Sequence, residues 1–421
     1  MKKINRRKFL QKSLLASGVI ASSKTLWNSP VYSQSLNRAS GQTSKLSNLG
    51  STLQVIRVSN DADTRMRVPR GFVVRQIART GKPVVSHSDY LWHGAPDGSA
   101  IFATDDGGWI YTSNSELDKG RGGVGAIRFN RDGEIIDSYS ILSGTSINCA
   151  GGSTPWGTWL SCEEHANGLV YECDPYGKEQ AVSCPMLGAF THEAAAVDPA
   201  HKHIYLTEDV PDGKLYRFTP DDYPDDGRAK LSTGTLEVAL ITGTNLNTSR
   251  AVSWRRVPHP VPQLNLTADG SITPPTRNQV PDAEKFNGGE GCWYFEGTVY
   301  FTTKGDNRVW ALDTNKNTLE VLYDKNRDRA FTPAMNDVDN LTVSAGGDIL
   351  VAEDGPEMRL VVFSPETTPY ELVNVLGHRR SEITGPAFSP DGSRLYFSSQ
   401  RGPTGSSRDG RTYEMTGPFF T

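Results

Sequence analysis

Cysteine is scarce, with five residues in a chain of 421. None stands in a C-x-x-C pair, which excludes a disulfide scaffold and a zinc-ribbon site. Strong charge of one sign is missing as well: 44 Lys+Arg against 48 Asp+Glu leave −4, which excludes a globally basic nucleic-acid binder. No run of about 18 apolar residues exists, so no transmembrane helix follows the first turns of the chain. Sustained 3.6-residue periodicity is absent, which argues against a helical fold. There is no G-x-S-x-G, no P-loop and no dinucleotide fingerprint. What remains is an ordinary globular composition, long enough for a large core and slightly rich in Gly and Pro.

The N-terminus carries information of its own. Asn5-Arg6-Arg7-Lys8-Phe9-Leu10 sets a twin arginine before a short apolar run, Leu14 to Ala21. That pattern reads as a Tat export signal over 1–35, followed by a Ser/Asn/Thr-rich linker over 36–52. Tat carries folded proteins, often ones that hold a metal or cofactor, so a periplasmic or extracellular metalloprotein is expected.

From residue 53 to 421 short β-runs alternate with Gly, Pro, Asn and Asp. A unit recurs about every 45–50 residues. Each has a β-run closed by polar residues: Ile101 to Asp105-Asp106, Thr158 to Glu163-Glu164, Ile204 to Glu208-Asp209, Val299 to Lys304, Ile349 to Glu353-Asp354, and Leu395 to Gln400-Arg401. Six occurrences predict an all-β fold, a six-bladed β-propeller in one domain, with a Pro-rich surface insertion at about 222–285. Upstream of these runs stand Asp89, Cys149, Glu193, Glu290, Asp339 and Glu382. If these head the innermost strands, they face one axis, and the residues closing the next strands lie close by. Facing carboxylates need cations. A multi-metal centre at one mouth of the channel is therefore expected, with hard ions such as Ca²⁺ or Mg²⁺ on the carboxylates and a transition metal at the thiolate. His192, beside Glu193, reads equally as a ligand or as a core residue. Trp156, Trp159, Trp293 and Trp310 are expected to pack between blades.

At these residues a family becomes visible. Asn148-Cys-Ala-Gly-Gly-Ser-Thr-Pro-Trp-Gly-Thr-Trp-Leu-Ser-Cys-Glu-Glu164 resembles a signature of the PhoX-type alkaline phosphatases. Phe190-Thr-His-Glu193, Tyr205-Leu-Thr-Glu-Asp209, Phe286-Asn-Gly-Gly-Glu-Gly-Cys-Trp293, Asp339-Asn-Leu-Thr-Val343 with Ala352-Glu-Asp-Gly355, and Gly385-Pro-Ala-Phe-Ser-Pro-Asp-Gly392 are similar at further stations. The likeness spans roughly 85–421. It implies a six-bladed propeller with Fe³⁺ and Ca²⁺ in its channel and hydrolysis of small phosphomonoesters in the periplasm. It places the iron-binding cysteine on Cys149 and metal-binding acids on Glu163 or Glu164, Glu193 and Glu290, with Asp339, Glu353 and Glu382 as further acidic ligands.

One position departs from the family pattern. Where those phosphatases carry a phosphate-gripping arginine, this chain has Gly288. A missing guanidinium removes a bidentate contact, which Lys304, Arg308 or Arg401 would have to replace. Other readings are a Ca²⁺-dependent propeller lactonase or esterase, and a non-catalytic propeller with structural metals. The expected partners are a small phosphoester and the Tat machinery, with no nucleic acid, no membrane once the signal is removed, and a monomeric chain.

Overall fold

The computed structural model describes residues 46, 49, 52–225, 227–262, 272–329, 334–363 and 369–419. The leader expected over 1–35 and most of the linker over 36–52 lie outside the described residues. No helix among those described is long and apolar enough to cross a membrane.

The described chain is all-β and propeller-like. It runs as antiparallel meanders. The first is Pro96–Ala103, Trp109–Ser115, Gly122–Phe129 and Ile135–Thr145; the second is Asn148–Ser153, Trp159–Glu163, Val170–Cys173 and Val182–Ser183. The third begins with His192–Asp198, His203–Glu208, Leu215–Pro220 and Gly234–Ile241, and the fourth with Gly289–Phe295, Thr298–Thr303, Arg308–Asp313 and Thr318–Asp324. The strand Arg250–Arg256 joins these two into one nine-stranded sheet, because it pairs with Gly234–Ile241 and with Thr318–Asp324. Two regular strands thus fall inside 222–285, expected as a surface excursion: Thr235-Leu-Glu-Val238 alternates as a half-buried strand should. The excursion proper starts after Arg256.

The fifth meander, Val338–Val343, Ile349–Glu353, Arg359–Phe363 and Tyr370–Leu376, is widened by Asp61–Pro69 and Leu53–Val58. The sixth, Ile383–Phe388, Arg394–Ser399 and Arg411–Thr416, takes its outer strand, Val73–Arg79, from near the other end of the chain. Ion pairing ties this sheet to the fifth, where the buried Arg411 reaches Asp61 at 2.5 Å. Local chemistry closes the hairpins. Asp198, Asp313 and Asp391 each accept backbone N–H groups two or three residues on, the turn habit of aspartate. Apolar side chains fill the spaces between sheets, as with Leu160, Val170, Val197, Ile204 and Leu206 between the second and third meanders.

The innermost strands are Pro96–Ala103, Asn148–Ser153, His192–Asp198, Gly289–Phe295, Val338–Val343 and Ile383–Phe388. Each packs against the next, and the last returns to the first. Near its start each loses ladder register, between Pro96 and Ser99, Asn148 and Gly151, His192 and Ala195, Gly289 and Cys292, Val338 and Leu341, and Thr384 and Ala387. Such bulges re-aim side chains. In four of the six breaks the second residue is Gly or Ala, namely Gly98, Ala150, Ala194 and Gly291, and packing explains the two glycines. A Cβ on Gly98 would meet Ala150 Cα at 2.5 Å, and one on Gly291 would meet Leu341 N at 2.5 Å.

Candidate metal centre

Two sets of side chains converge on one cavity of about 100 Å³. The first set comes from the bulges: Asp97, Cys149, Glu193, Glu290 and Asp339. In the sixth meander the equivalent position is Gly385, and Glu382 reaches in from just before the strand. The second set follows the second strand of each meander: Glu116, Glu164, Asp209, Lys304, Asp354, and Gln400 with Arg401. Nine carboxylates and a thiol therefore face two cations.

The geometry is tight. Cys149 Sγ lies 3.3 Å from Glu193 Oε1. Lys304 Nζ stands 2.8 Å from Glu290, 3.1 Å from Asp339 and 3.4 Å from Asp354. Arg401 meets Glu382 at 2.6 Å. Gln400 Nε2 donates to Asp97 at 2.5 Å and to Glu116 at 2.6 Å. Four groupings bring their donor atoms within 4.8 Å of one another: Glu116–Cys149–Glu164, Asp97–Glu116–Glu382, Glu193–Glu290–Asp339 and Asp339–Asp354–Glu382.

Such crowding resists ionisation. Burial, then Glu116 and Asp209, pushes Glu164 up to about 9. Burial, followed by neighbouring carboxylates, also lifts Asp97, Glu193, Glu290 and Glu382 well above the ordinary carboxylate range. The Cys149 thiol is raised for the same reasons, burial first and then Asp97 and Glu193. Burial would lower Lys304, but Asp339 and Glu290 more than offset it and hold the ammonium protonated. Among the described residues of the cavity, the buried carboxylate oxygens Asp97 Oδ1 and Glu193 Oε2 have neither a hydrogen-bond partner nor an ion pair. Buried carboxylate oxygens without partners, in like-charged groups of three, are the donor set that multivalent cations fit.

Residues 122–402, more than half of the chain, match the sequence model of a family described as Alkaline phosphatase PhoX. The chain belongs to this family. Pseudomonas fluorescens PhoX, solved in complex with vanadate, a transition state analogue, superposes with a TM-score of 0.71 over 89% of this chain and 98% of that one, at 16% identity. A gluconolactonase of Xanthomonas campestris, XC5397, gives a TM-score of 0.43 at 13% identity, over 88% of this chain and 98% of that one. No functionally curated protein matches the sequence.

Within this PhoX-family chain the structure brings together Cys149, Glu164, Glu193, Glu290, Asp339, Glu382, Lys304 and Arg401. It sets Glu163, Glu353 and Arg308 apart. Alternation along a strand separates the two members of each acidic pair. Glu164, Asp209 and Asp354 line the cavity. Their predecessors tie strand ends to neighbouring loops: Glu163 accepts from Ser146 N at 2.9 Å and Leu169 N at 3.2 Å, and Glu208 accepts from Tyr216. Glu353 is held by Arg359 at 2.6 and 2.8 Å and by Asn336 N. Arg308 is occupied by Asp306 and Asp324 at 2.5 and 2.7 Å, over Trp310. His192 is a core residue, stacked on Phe190 with its Nε2 3.0 Å from Gly188 O.

Asp89 is exposed in a loop, and Asp97 occupies the place expected for it. Asp97, Glu116 and Gln400 carry no assignment as ligands in the sequence reading. Glu116 was open to detection, since its spacing to Glu164 matches the pitch of the later units. The division of labour within each pair has a measurable consequence. Glu353→Ala leaves the largely buried Arg359, 11% exposed, with Ala334 O but no carboxylate, and should cost about 3 kcal/mol in denaturant unfolding, while elemental analysis finds the metal content unchanged.

Proposed function

We propose that the protein is an exported, metal-dependent phosphomonoester hydrolase built on a six-bladed propeller, the six meanders being its blades. One observation carries this reading: in a PhoX-family chain, nine carboxylates and one thiol surround a cavity that also presents Lys304 and Arg401. The three oxygen-only groupings, Asp97–Glu116–Glu382, Glu193–Glu290–Asp339 and Asp339–Asp354–Glu382, suit Ca²⁺. The grouping with Cys149 suits iron as Fe³⁺, because a thiolate favours a transition metal. Likeness to a PhoX captured with vanadate, a transition state analogue, supports the same chemistry.

Bound cations would supply Lewis acidity, polarising the phosphoryl oxygens and neutralising charge as the ester bond breaks. The chain's own residues do the rest. Arg401, about a third exposed, presents donors from the cavity wall to a phosphoryl oxygen. Lys304 offers a fixed positive charge between Glu290 and Asp339. Gly288, at φ 69° and with Asp209 Oδ1 3.1 Å from where a Cβ would sit, brings no side chain to the mouth, so these two replace the missing guanidinium.

The test is hydrolysis of p-nitrophenyl phosphate by the folded chain, with calcium and iron measured on the same sample. Activity lost on chelation and regained with metal is expected. Arg401→Ala should lower kcat/KM about 10- to 100-fold by removing a charged hydrogen bond. A metal-loaded protein that turns over no phosphomonoester sinks the reading.

A further inference from the structure

We propose that Thr207, Thr302 and Asn114 are positioning residues for the metal centre, each latching the backbone of one cavity residue on the next meander. The inference rests on the metal-dependent reading above. All three are the penultimate residue of the second strand of their meander, and all three are fully buried. Thr207 Oγ1 donates to Glu290 O at 2.6 Å and accepts from Ala194 N at 3.1 Å. Thr302 Oγ1 donates to Asp339 O at 2.5 Å. Asn114 Nδ2 donates to Cys149 O at 3.1 Å and to Ala150 O at 2.7 Å. Its Oδ1 is fixed in turn by Trp159 Nε1 at 2.8 Å and Ser161 Oγ at 3.0 Å.

The need for these contacts follows from the bulges. A bulge breaks the ladder locally, and a buried carbonyl left without a donor is costly. The chain could meet that need with any donor. It uses side chains from the preceding meander, so the bond that satisfies the carbonyl also fixes the spacing between neighbouring bulges. Equivalent positions in the other meanders hold Cys162, Ala352 and Ser398, the last bonded to Thr412 within its own sheet. The latches fall where the next bulge carries Cys149, Glu290 or Asp339. Two of them therefore set the Glu193–Glu290–Asp339 grouping, whose donor atoms must stay within a few ångströms to share a cation. Supports of this kind tune affinity without touching the ion.

The test uses Thr302→Val, which keeps the shape and removes the hydroxyl, and Thr302→Ser, which keeps the hydroxyl. Thr112→Val is the control, because the buried Thr112 hydroxyl bonds only within its own meander, to Ala100 O. Calcium bound per chain is measured across a calcium series, beside thermal unfolding of the chelated form. Thr302→Val should weaken calcium binding about 10- to 100-fold, with Thr302→Ser and Thr112→Val close to wild type in calcium; in the chelated form Thr302→Val unfolds somewhat earlier than wild type, because Asp339 O loses its donor. Wild-type calcium affinity in Thr302→Val, or an equal loss in Thr302→Ser, overturns the latch. If Thr302→Val fails to fold, Thr207→Val, which frees Glu290 O, is read against Thr207→Ser in the same way. A wild-type chain that binds no calcium instead removes the metal reading itself.

Discussion

Chelating the metal should make the folded chain lose stability as pH rises, whereas the metal-loaded chain should gain it. The sign follows from the cavity. Glu164 moves from 4.5 to about 9 on folding, and Asp97, Glu193, Glu290 and Glu382 move in the same direction. Between about 4.5 and about 9 the metal-free fold holds protons that the unfolded chain has released. Stability falls with pH wherever the native state binds more protons. The contribution is whole below the unfolded value and is lost as pH climbs to the folded one. Metal reverses the slope, since it binds the deprotonated ligands and competes with protons. One site held about 1,000-fold above its Kd adds about 4 kcal/mol, and several sites add more. Thermal unfolding in chelator and in excess calcium, at about pH 5.5, 7 and 8.5, reads both slopes. A chelated chain that grows more stable across that range would mean that the carboxylates do not face one another.

Much of this site is legible in the sequence. Cys149, Glu193, Glu290 and Asp339 stand at one phase of a repeating unit, and a repeat that aims side chains at a common axis needs only its phase to be recognised. The first unit misled because its inner strand imitates a second strand. Ile101-Phe-Ala-Thr runs into Asp105-Asp106 just as later second strands run into acidic pairs. That run is the end of Pro96–Ala103, and Asp106 serves a turn, accepting from Thr104 and Gly108 N and pairing with Arg128. Shifting the register by one strand gives Asp97 and Glu116 their places. The bulges were hidden for another reason. An irregularity of one residue leaves composition unchanged, yet it decides which neighbour enters the cavity. The choice between Glu163 and Glu164 likewise depends on strand phase, which the hydrogen-bonded ladder fixes and residue type does not. Gly385 in the sixth meander breaks the pattern altogether, and Glu382 fills in from outside the strand.

Glu193→Gln separates metal binding from folding more sharply than any other change. The side chain is fully buried, Oε1 faces the Cys149 thiol, and Oε2 has no hydrogen-bond partner. Its pKa is raised by burial first, then by Glu290, Glu164, Asp339 and Asp97. The amide keeps the volume and removes the charge. In the chelated protein at about pH 9 this relieves repulsion, so the variant should unfold at a higher temperature than chelated wild type. In the loaded protein the sign inverts. One anionic ligand of the Glu193–Glu290–Asp339 grouping is gone, so less calcium is retained, and phosphomonoester turnover should fall about 10²- to 10³-fold with the lost charge stabilisation. A residue that served only the fold would destabilise both forms. Equal turnover in Glu193→Gln and wild type, at equal metal content, would remove Glu193 from the centre. Opposite shifts in the two forms would identify the charge on Glu193 as one that the metal-free fold tolerates poorly and the bound cations require.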